Sequence, residues 1–337
     1  MSVIGLIVIR LRTCDCAEVT RHERVARRWI TEGAVAKAIE DQWLVSPGLV
    51  ADFLTKKLDQ PNLGRLQNLL NGPVDVDKMD YLQRDSLHAG VPYGRNFDVA
   101  RLVSSLRFGE SSKIAITDKG KTAAEMMVFS RYVMFSEVYW HHSVRAATAM
   151  LQRLFYRIRR SVFEADLHEM SDWKFQHFVI EAAQVDPGIA ELASSLFGRQ
   201  RKLFKRFSQH NYAVSPDVHA ALAHRPFEQL VQCAELLAAK LASKCKIPIQ
   251  PDDLLIDAPP VKLEIQFKLD VLTSKGTQPL EQLSPVVRSL ATDQFDKFVK
   301  QVRVFVKPSI RSQLNVDESS LTELLLQCAS ELSDSTS

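Results

Sequence analysis

One short segment of the sequence, VDVDKMDYLQRDSLHAGVPYG at residues 74–94, concentrates charge around a tyrosine, Tyr81. Its charged residues are Asp75, Asp77, Lys78, Asp80, Arg84 and Asp85. A carboxylate can bind a divalent metal ion, a lysine can contact a phosphate, and a tyrosine with a second carboxylate can hold a sugar. The opposing interpretation is an exposed helix whose charges pair with one another. The residue types alone leave both interpretations open.

Helical spacing sorts these residues into faces. At 100° per residue, one face carries Asp77, Tyr81, Arg84, Asp85 and His88. Lys78 lies on the adjoining stripe, and Asp80 with Arg84 forms an i,i+4 pair that favours a helix. A helix beginning near residue 75 would therefore hold a metal ligand, a phosphate contact and a sugar contact within reach of one another.

Composition limits the class of protein. The chain has 337 residues, of which 46% are apolar, so it is long enough and apolar enough to fold around one or two cores. Only 12 residues are glycine, which favours helices over many short strands. The net charge of +3 is too small to imply nucleic-acid binding from bulk electrostatics. The five cysteines have no regular spacing and are expected to be reduced thiols, as in the cytosol.

The beginning of the sequence, MSVIGLIVIRLR, has its arginines after a short apolar run. A secretory signal places positive charge before a longer run, and no stretch approaches the length of a membrane span. We therefore expect a cytoplasmic protein with no membrane partner. Residues 1–20 are interpreted as an irregular or truncated N-terminal segment.

The pattern up to residue 246 is mainly helical. Ser46-Pro47, Pro61 and Asp98 are typical helix starts. SLRFGESSKIAIT, residues 105–117, predicts a β-hairpin. Longer helices are then predicted over 121–160, 172–185, 187–207 and 216–246.

The composition changes at residues 246–260, where prolines cluster. Alternating patterns predict strands over 261–271 and 301–306, and Ser284-Pro285 predicts the start of a helix reaching about residue 299. A capping box, Ser320 to Glu323, predicts the last helix. The expected fold is mainly α, with a helical core at 21–245, a β-hairpin within it, and a small C-terminal α/β region at 246–330.

The string DVDKMDYLQRDSLHAGVPYG resembles the last metal-ligand motif of the HD-domain phosphohydrolases, in their deoxynucleoside triphosphate triphosphohydrolase-like branch. That motif is written D-x-D-K/R-x-D-Y-x-x-R-D and is followed by a glycine turn. The resemblance implies an HD-domain-like helical core. It also implies that Asp77 is a metal ligand, that Lys78 contacts phosphate, and that Tyr81 and Asp85 line the sugar end of a pocket.

Two further segments resemble the same family. SRYVMFSEVYWHH, residues 130–142, is similar to its R-x(7)-Y-x-H helix, which implies that Arg131 contacts the polyphosphate, with Tyr139 against the nucleotide and His141 beside it. TRHERVARRW, residues 20–29, is similar to its His-Glu pair, which implies acid/base or water-orienting roles for His22 and Glu23. The alternatives are a structural ion pair for Arg131 and an ordinary surface pair at a helix start for His22 and Glu23.

The sequence departs from the family pattern in one respect. None of its nine histidines is followed by aspartate, and no histidine precedes His22. The residues matched to the family thus offer one carboxylate, Asp77, where a metal ion needs about four ligands. Two interpretations stay open: an N-terminally shortened enzyme, or a non-catalytic relative that keeps the nucleotide contacts.

The resemblance implies a metal-dependent phosphohydrolase that converts a deoxynucleoside triphosphate to a deoxynucleoside and triphosphate, as a dGTPase does. Its cofactor would be a divalent metal such as Mg²⁺, Mn²⁺, Fe²⁺ or Zn²⁺. The alternative is a catalytically inactive nucleotide-binding module with a regulatory or assembly role. The expected partners are a nucleotide and further copies of the chain. The basic segment GRQRKLFKRF, residues 198–207, adds nucleic acid or a regulatory nucleotide as a candidate ligand, against the alternative of a solvated helix face.

Overall fold

The computed structural model describes residues 22–55, 61–109, 113–161, 170–259, 268–290 and 298–334. Its α-helices are, in chain order, α1 (His22–Thr31), α2 (Gly33–Trp43), α3 (Pro47–Leu54), α4 (Pro61–Asn71), α5 (Val76–His88), α6 (Val99–Ser105), α7 (Lys121–Met134), α8 (His142–Ile158), α9 (Asp172–Ala182), α10 (Pro187–Phe197), α11 (Pro216–Leu222), α12 (Phe227–Cys245), α13 (Leu280–Leu283), α14 (Pro285–Ser289), α15 (Pro308–Arg311) and α16 (Glu318–Asp334). Its strands are β1 (Leu106–Phe108), β2 (Ile114–Thr117), β3 (Lys205–His210), β4 (Leu254–Asp257), β5 (Asp270–Thr273), β6 (Gly276–Pro279) and β7 (Val302–Val306).

The described residues divide into two compact units. Unit I contains the described residues of Thr20–Val138 and Leu263–Phe295, and unit II those of Tyr139–Lys262 and Asp296–Ser337. Both units are mainly helical, and each contains one small sheet. The predicted fold class, a helical core with a β-hairpin and a small C-terminal α/β portion, is confirmed.

Unit I packs its helices around a sheet with the strand order β1-β2-β5-β6. β1 and β2 form the predicted antiparallel hairpin, whereas β2 and β5 are parallel. The centre of the unit is fully buried and apolar, with Leu82 from α5, Leu102 from α6, Ile116 from β2 and Met127 from α7 at 0–1% exposure. This core fixes α5 and α7, the two helices that carry predicted site residues.

Unit II is built on the antiparallel sheet β3-β7-β4. Every residue of the central strand β7 is buried. Phe305 joins a core formed with α8, α9 and α10, whereas Val302, Val304 and Val306 join a second core formed with α11, α12 and α16. Because successive side chains of a strand lie on opposite faces of the sheet, those of β7 pack in two different cores.

The helix starts predicted from proline and aspartate are confirmed. Pro47 and Pro61 begin α3 and α4, and Asp98 caps α6 by accepting a hydrogen bond of 2.9 Å from the Arg101 backbone N–H. The strand predicted over 301–306 is confirmed as β7. Most of the strand predicted over 261–271 and residues 291–297 of the helix predicted over 284–299 lie outside the described residues. The predicted start of that helix is confirmed, because α14 begins at Pro285 with Ser284 as its N-cap.

Three predicted helices are wrong in extent. The helix predicted over 121–160 is interrupted by a π-helical turn, Phe135–Tyr139, after which His141, with a non-helical ψ of 137°, caps α8. The helix predicted over 187–207 ends at Phe197, because residues 205–210 pair with β7 instead. The helix predicted over 216–246 divides at His224, whose φ of +69° is incompatible with a continuous helix.

The last helix also begins earlier than predicted. α16 starts at Glu318, and Asp317 accepts a hydrogen bond of 2.8 Å from the Ser320 backbone N–H. Its cap is therefore Asp317 and not Ser320. Among the residues that the structure describes, none of the helices has the length and apolar character needed to cross a lipid bilayer.

Candidate functional site

The charged segment at residues 74–94 forms helix α5, as the spacing predicts. Asp75 is its N-cap: the carboxylate accepts a hydrogen bond of 2.7 Å from the Lys78 backbone N–H. Gly90, at a φ of +69°, follows the helix in the left-handed conformation that glycine adopts readily. Both ends of the helix are therefore determined by local sequence.

Lys78 is held at its ammonium end. Its Nζ forms an ion pair with the same Asp75 carboxylate and donates a hydrogen bond of 3.1 Å to the Gly72 carbonyl oxygen. The Lys78 side chain is 20% exposed, whereas the Asp75 side chain is 5% exposed. Sequence analysis assigned Asp75 no role beyond its charge and missed its contact with Lys78.

Tyr81 and Arg131 contact each other within unit I. The guanidinium of Arg131 on α7 donates a hydrogen bond to the hydroxyl of Tyr81 on α5. Burial raises the pKa of Tyr81 above its ordinary value of 10.0, opposed by the positive charge of Arg131 and reinforced by Asp75 and Asp77. Arg131 is only 9% exposed and also lies over the Phe135 ring, 5.5 Å from its centroid. Two segments separated by about fifty residues in sequence thus meet at one position.

The remaining acidic residues of α5 differ in exposure. Asp77 is exposed in the first turn, and Asp85 is half-buried. Asp80 and Arg84 are both exposed and form the predicted i,i+4 ion pair at 3.0 Å. The helix therefore has a solvated face with paired charges and a second face that contacts Arg131.

The other predicted site residues lie elsewhere. His22 and Glu23 begin α1, but their side chains lie outside the described part of the chain. Tyr139 ends the π-helical turn and His141 caps α8, and both belong to unit II. The His141 ring accepts a hydrogen bond of 3.4 Å from the Ser143 backbone N–H.

Unit II also contains a cluster of positive charge at the start of α8. His142, Lys205 and Arg206 line a cavity of about 300 Å³. Burial lowers the pKa of His142, and the neighbouring charges of His141, Arg206, Arg303 and Lys205 lower it further. Burial also lowers the pKa of Arg303 to about 10. This cluster joins part of the basic segment 198–207 to residues that sequence analysis did not connect with it.

The described residues do not provide a complete metal site. No group of three or more His, Cys, Asp or Glu side chains among them is arranged to hold a metal ion. Asp77 is thus the one predicted metal ligand, and it lies on an exposed turn. Because a bound divalent ion needs several ligands, these residues do not fit the metal that the resemblance implies.

A family match places the chain among known proteins. Residues 97–326, which are more than half of the chain, match the model of the HD associated region. The chain belongs to this family. The matched range includes Arg131, Tyr139 and His141, whereas α5 precedes it.

Several proteins are similar to the chain. An uncharacterized protein of Methanocaldococcus jannaschii is 28% identical over 242 residues, covering 70% of this chain and 49% of its own length. A putative HD domain-containing protein of Acanthamoeba polyphaga mimivirus is 36% identical over 90 residues, covering 27% of this chain and 19% of its own. The chain thus spans about half, or less, of the length of these relatives.

A solved structure named as a phosphohydrolase, from Bacteroides thetaiotaomicron, is also similar in fold. It is 15% identical with a TM-score of 0.50, and the match covers 90% of this chain and 85% of that one. At this identity the likeness concerns the fold alone. Together with the family match and the mimivirus relative, it supports an HD-type protein.

Proposed function

We propose that this chain is the nucleotide-binding part of an HD-type phosphohydrolase that acts on deoxynucleoside triphosphates. The observation that supports the proposal best is the hydrogen bond between Tyr81 and Arg131. The two residues come from separate segments that resemble the same family, and in the resemblance they serve adjoining parts of one nucleotide. Their direct contact is what that interpretation requires.

Each residue has a chemical role in the proposal. Arg131 supplies a buried guanidinium, which can donate two hydrogen bonds to a phosphate, and Lys78 supplies a compact ammonium. Tyr81 and Asp85 hold the deoxyribose by contact with the ring face and by hydrogen bonding. His22 and Glu23 transfer protons or orient water. A divalent metal, where bound, would polarise the phosphate and activate water.

The hydrolytic step is proposed for the protein of which these residues form part, with a deoxynucleoside and triphosphate as products. No step is assigned through a metal ion, because Asp77 alone cannot hold one. The second candidate is a nucleotide-binding module with a regulatory or assembly role. The incomplete ligand set among the described residues favours that alternative.

Calorimetric titration with dGTP, deoxyguanosine and inorganic triphosphate tests the binding proposal. We expect Lys78→Ala and Arg131→Ala each to weaken dGTP and triphosphate binding at least tenfold, because each removes a charged hydrogen bond worth about 1.5–3 kcal/mol. Arg131→Lys, which keeps the charge, should recover part of the loss. Arg84→Ala is the matched control on the exposed face of α5 and should leave affinity unchanged. Unchanged affinity in both the Lys78 and the Arg131 variants would refute the nucleotide-binding assignment.

Turnover and metal content separate the two candidate functions. This chain and any longer form of the protein should be assayed in parallel for bound metal and for release of triphosphate from dGTP. We expect nucleotide binding by this chain to change less than threefold after chelation. Triphosphate release by this chain with stoichiometric metal would favour the enzyme, whereas binding without release by either form would favour the module.

A further inference from the structure

Asp75 is nearly completely buried and makes two contacts with the same lysine. Its carboxylate caps α5 through the Lys78 backbone N–H and also pairs with the Lys78 ammonium. An N-cap needs only an uncharged acceptor, since Ser and Asn serve as well as Asp. The capping role alone therefore does not explain why residue 75 carries a negative charge.

The negative charge of Asp75 reduces the positive charge that Lys78 can present to a ligand. A lysine ammonium has three N–H donors, and two of those of Lys78 are directed at Asp75 and at the Gly72 carbonyl. One donor is left for a phosphate. Because Asp75 and Lys78 have opposite unit charges, a phosphate at Lys78 would meet a pair whose charges sum to zero. Arg131 would then supply most of the attraction.

We infer that Asp75 lowers the affinity of the site for the phosphates of the nucleotide by competing for the Lys78 ammonium. The inference rests on the proposed nucleotide-binding function. A phosphate bound to Lys78 would lie about 5 Å from the Asp75 carboxylate, given two ordinary contacts to one nitrogen. Like charges at that separation in a partly buried site repel by more than the rotamer entropy gained by anchoring one lysine. Repulsion therefore outweighs any benefit of holding Lys78 in place.

The variant Asp75→Asn removes the negative charge at residue 75 and keeps the capping hydrogen bond. The asparagine oxygen can still accept from the Lys78 backbone N–H, but the uncharged amide no longer neutralises the ammonium. We expect dGTP and triphosphate to bind about tenfold more tightly, equivalent to about 1.4 kcal/mol. Binding should also depend more steeply on salt, because Lys78 acts as an unpaired cation. Deoxyguanosine, which lacks phosphates, should bind unchanged.

Asp98→Asn is the matched control, because Asp98 caps α6 in the same unit through the same kind of hydrogen bond. It should leave the affinity for all three ligands unchanged. Circular dichroism of each variant checks that the helices are retained.

The double variant Asp75→Asn/Lys78→Ala provides the second measurement. Lys78→Ala alone leaves a buried carboxylate without its cation beside the phosphate position, so part of its effect on affinity is repulsion. We therefore expect the double variant to bind triphosphate more tightly than Lys78→Ala. A purely structural role of Asp75 does not predict this gain, because it gives the carboxylate no repulsion toward a bound phosphate.

The outcomes distinguish this inference from the proposed function. If Lys78→Ala and Arg131→Ala weaken binding while Asp75→Asn weakens it or leaves it unchanged, the inference is overturned and the nucleotide site stands. If neither Lys78→Ala nor Arg131→Ala changes affinity, the proposed function itself fails. Tighter binding with a steeper salt dependence in Asp75→Asn would support both.

Discussion

Single residues in this protein illustrate how a buried charge is accommodated. In unit II, Arg145 and Asp257 form a bidentate ion pair whose side chains are 6% and 0% exposed. The Arg145 guanidinium also lies 4.5 Å from the centroid of the Trp140 ring. The charge of Asp257 additionally supports the pKa of Arg303, which burial lowers. One carboxylate thus compensates two buried guanidinium groups.

The Arg145–Asp257 pair yields a stability prediction. We expect Arg145→Met to lower the free energy of unfolding by about 3–5 kcal/mol, because it leaves a buried carboxylate without its partner. Asp257→Asn should cost at least as much, since two cations lose their compensation. Urea unfolding followed by circular dichroism measures both variants. Arg84→Ala, at an exposed pair, should give no measurable change, and a similarly small effect of Arg145→Met would contradict the prediction.

At this scale, sequence analysis predicts contacts only where they are local in the chain. The phosphate and sugar roles of Lys78, Tyr81, Asp85 and Arg131 stay predictions until they are measured. The Asp80–Arg84 pair follows from spacing and is confirmed. The Arg145–Asp257 pair joins residues more than a hundred positions apart, so no local pattern indicates it.

The elements show which structural signals are local. Asp75, Pro47, Pro61 and Asp98 begin helices through their own hydrogen bonds or fixed φ, so the sequence reveals them. The division of the predicted 121–160 helix and the strand β3 depend on partners far along the chain. Residues 205–210 are basic and amphipathic in either conformation, and pairing with β7 selects the strand.

The contact between α5 and the turn that follows it gives an element-scale prediction. Gly94 is buried, and a Cβ atom there would overlap the carbonyl oxygen of Leu82 on α5. The Ser86 hydroxyl accepts a hydrogen bond of 3.2 Å from the Gly94 N–H, which fixes the turn. We expect Gly94→Ala to lower the free energy of unfolding by about 1–3 kcal/mol and to weaken nucleotide binding, because α5 must shift.

Gly48→Ala is the control for that substitution. Gly48 lies in α3, where an added Cβ would meet the Ser46 hydroxyl at an ordinary distance of 3.5 Å. Alanine should leave stability unchanged or slightly raised, since it reduces the freedom of the unfolded chain. Thermal unfolding of both variants makes the comparison. Equal midpoints for Gly94→Ala and the unmodified chain would show that the turn can relax.

The whole molecule should lose stability in mildly acidic solution. Burial lowers the pKa of His210 below its ordinary value of 6.5, and the negative charge of Glu318 opposes this shift. The folded state therefore binds fewer protons than the unfolded state just below pH 6.5. The stabilisation is complete above that pH and is lost as the pH falls toward the lowered folded pKa. His142, whose pKa is also lowered, contributes in the same direction.

His210→Gln tests this pH dependence. We expect the difference in urea midpoint between pH 7.5 and pH 5.5 to be smaller in this variant than in the unmodified chain. His177→Gln, at an exposed position on α9, should keep the full difference. An undiminished difference in His210→Gln would exclude His210 as its source.

The order of strands in unit II has a consequence for how the chain acquires its shape during synthesis. β7 lies between β3 and β4, which pair with it and not with each other. A ribosome completes β3 and β4 before it reaches Val306, so both strands expose unpaired backbone until residues 302–306 have been made. Chaperones that shield strand edges would act on this protein during that interval, and truncation before residue 302 would leave aggregation-prone fragments.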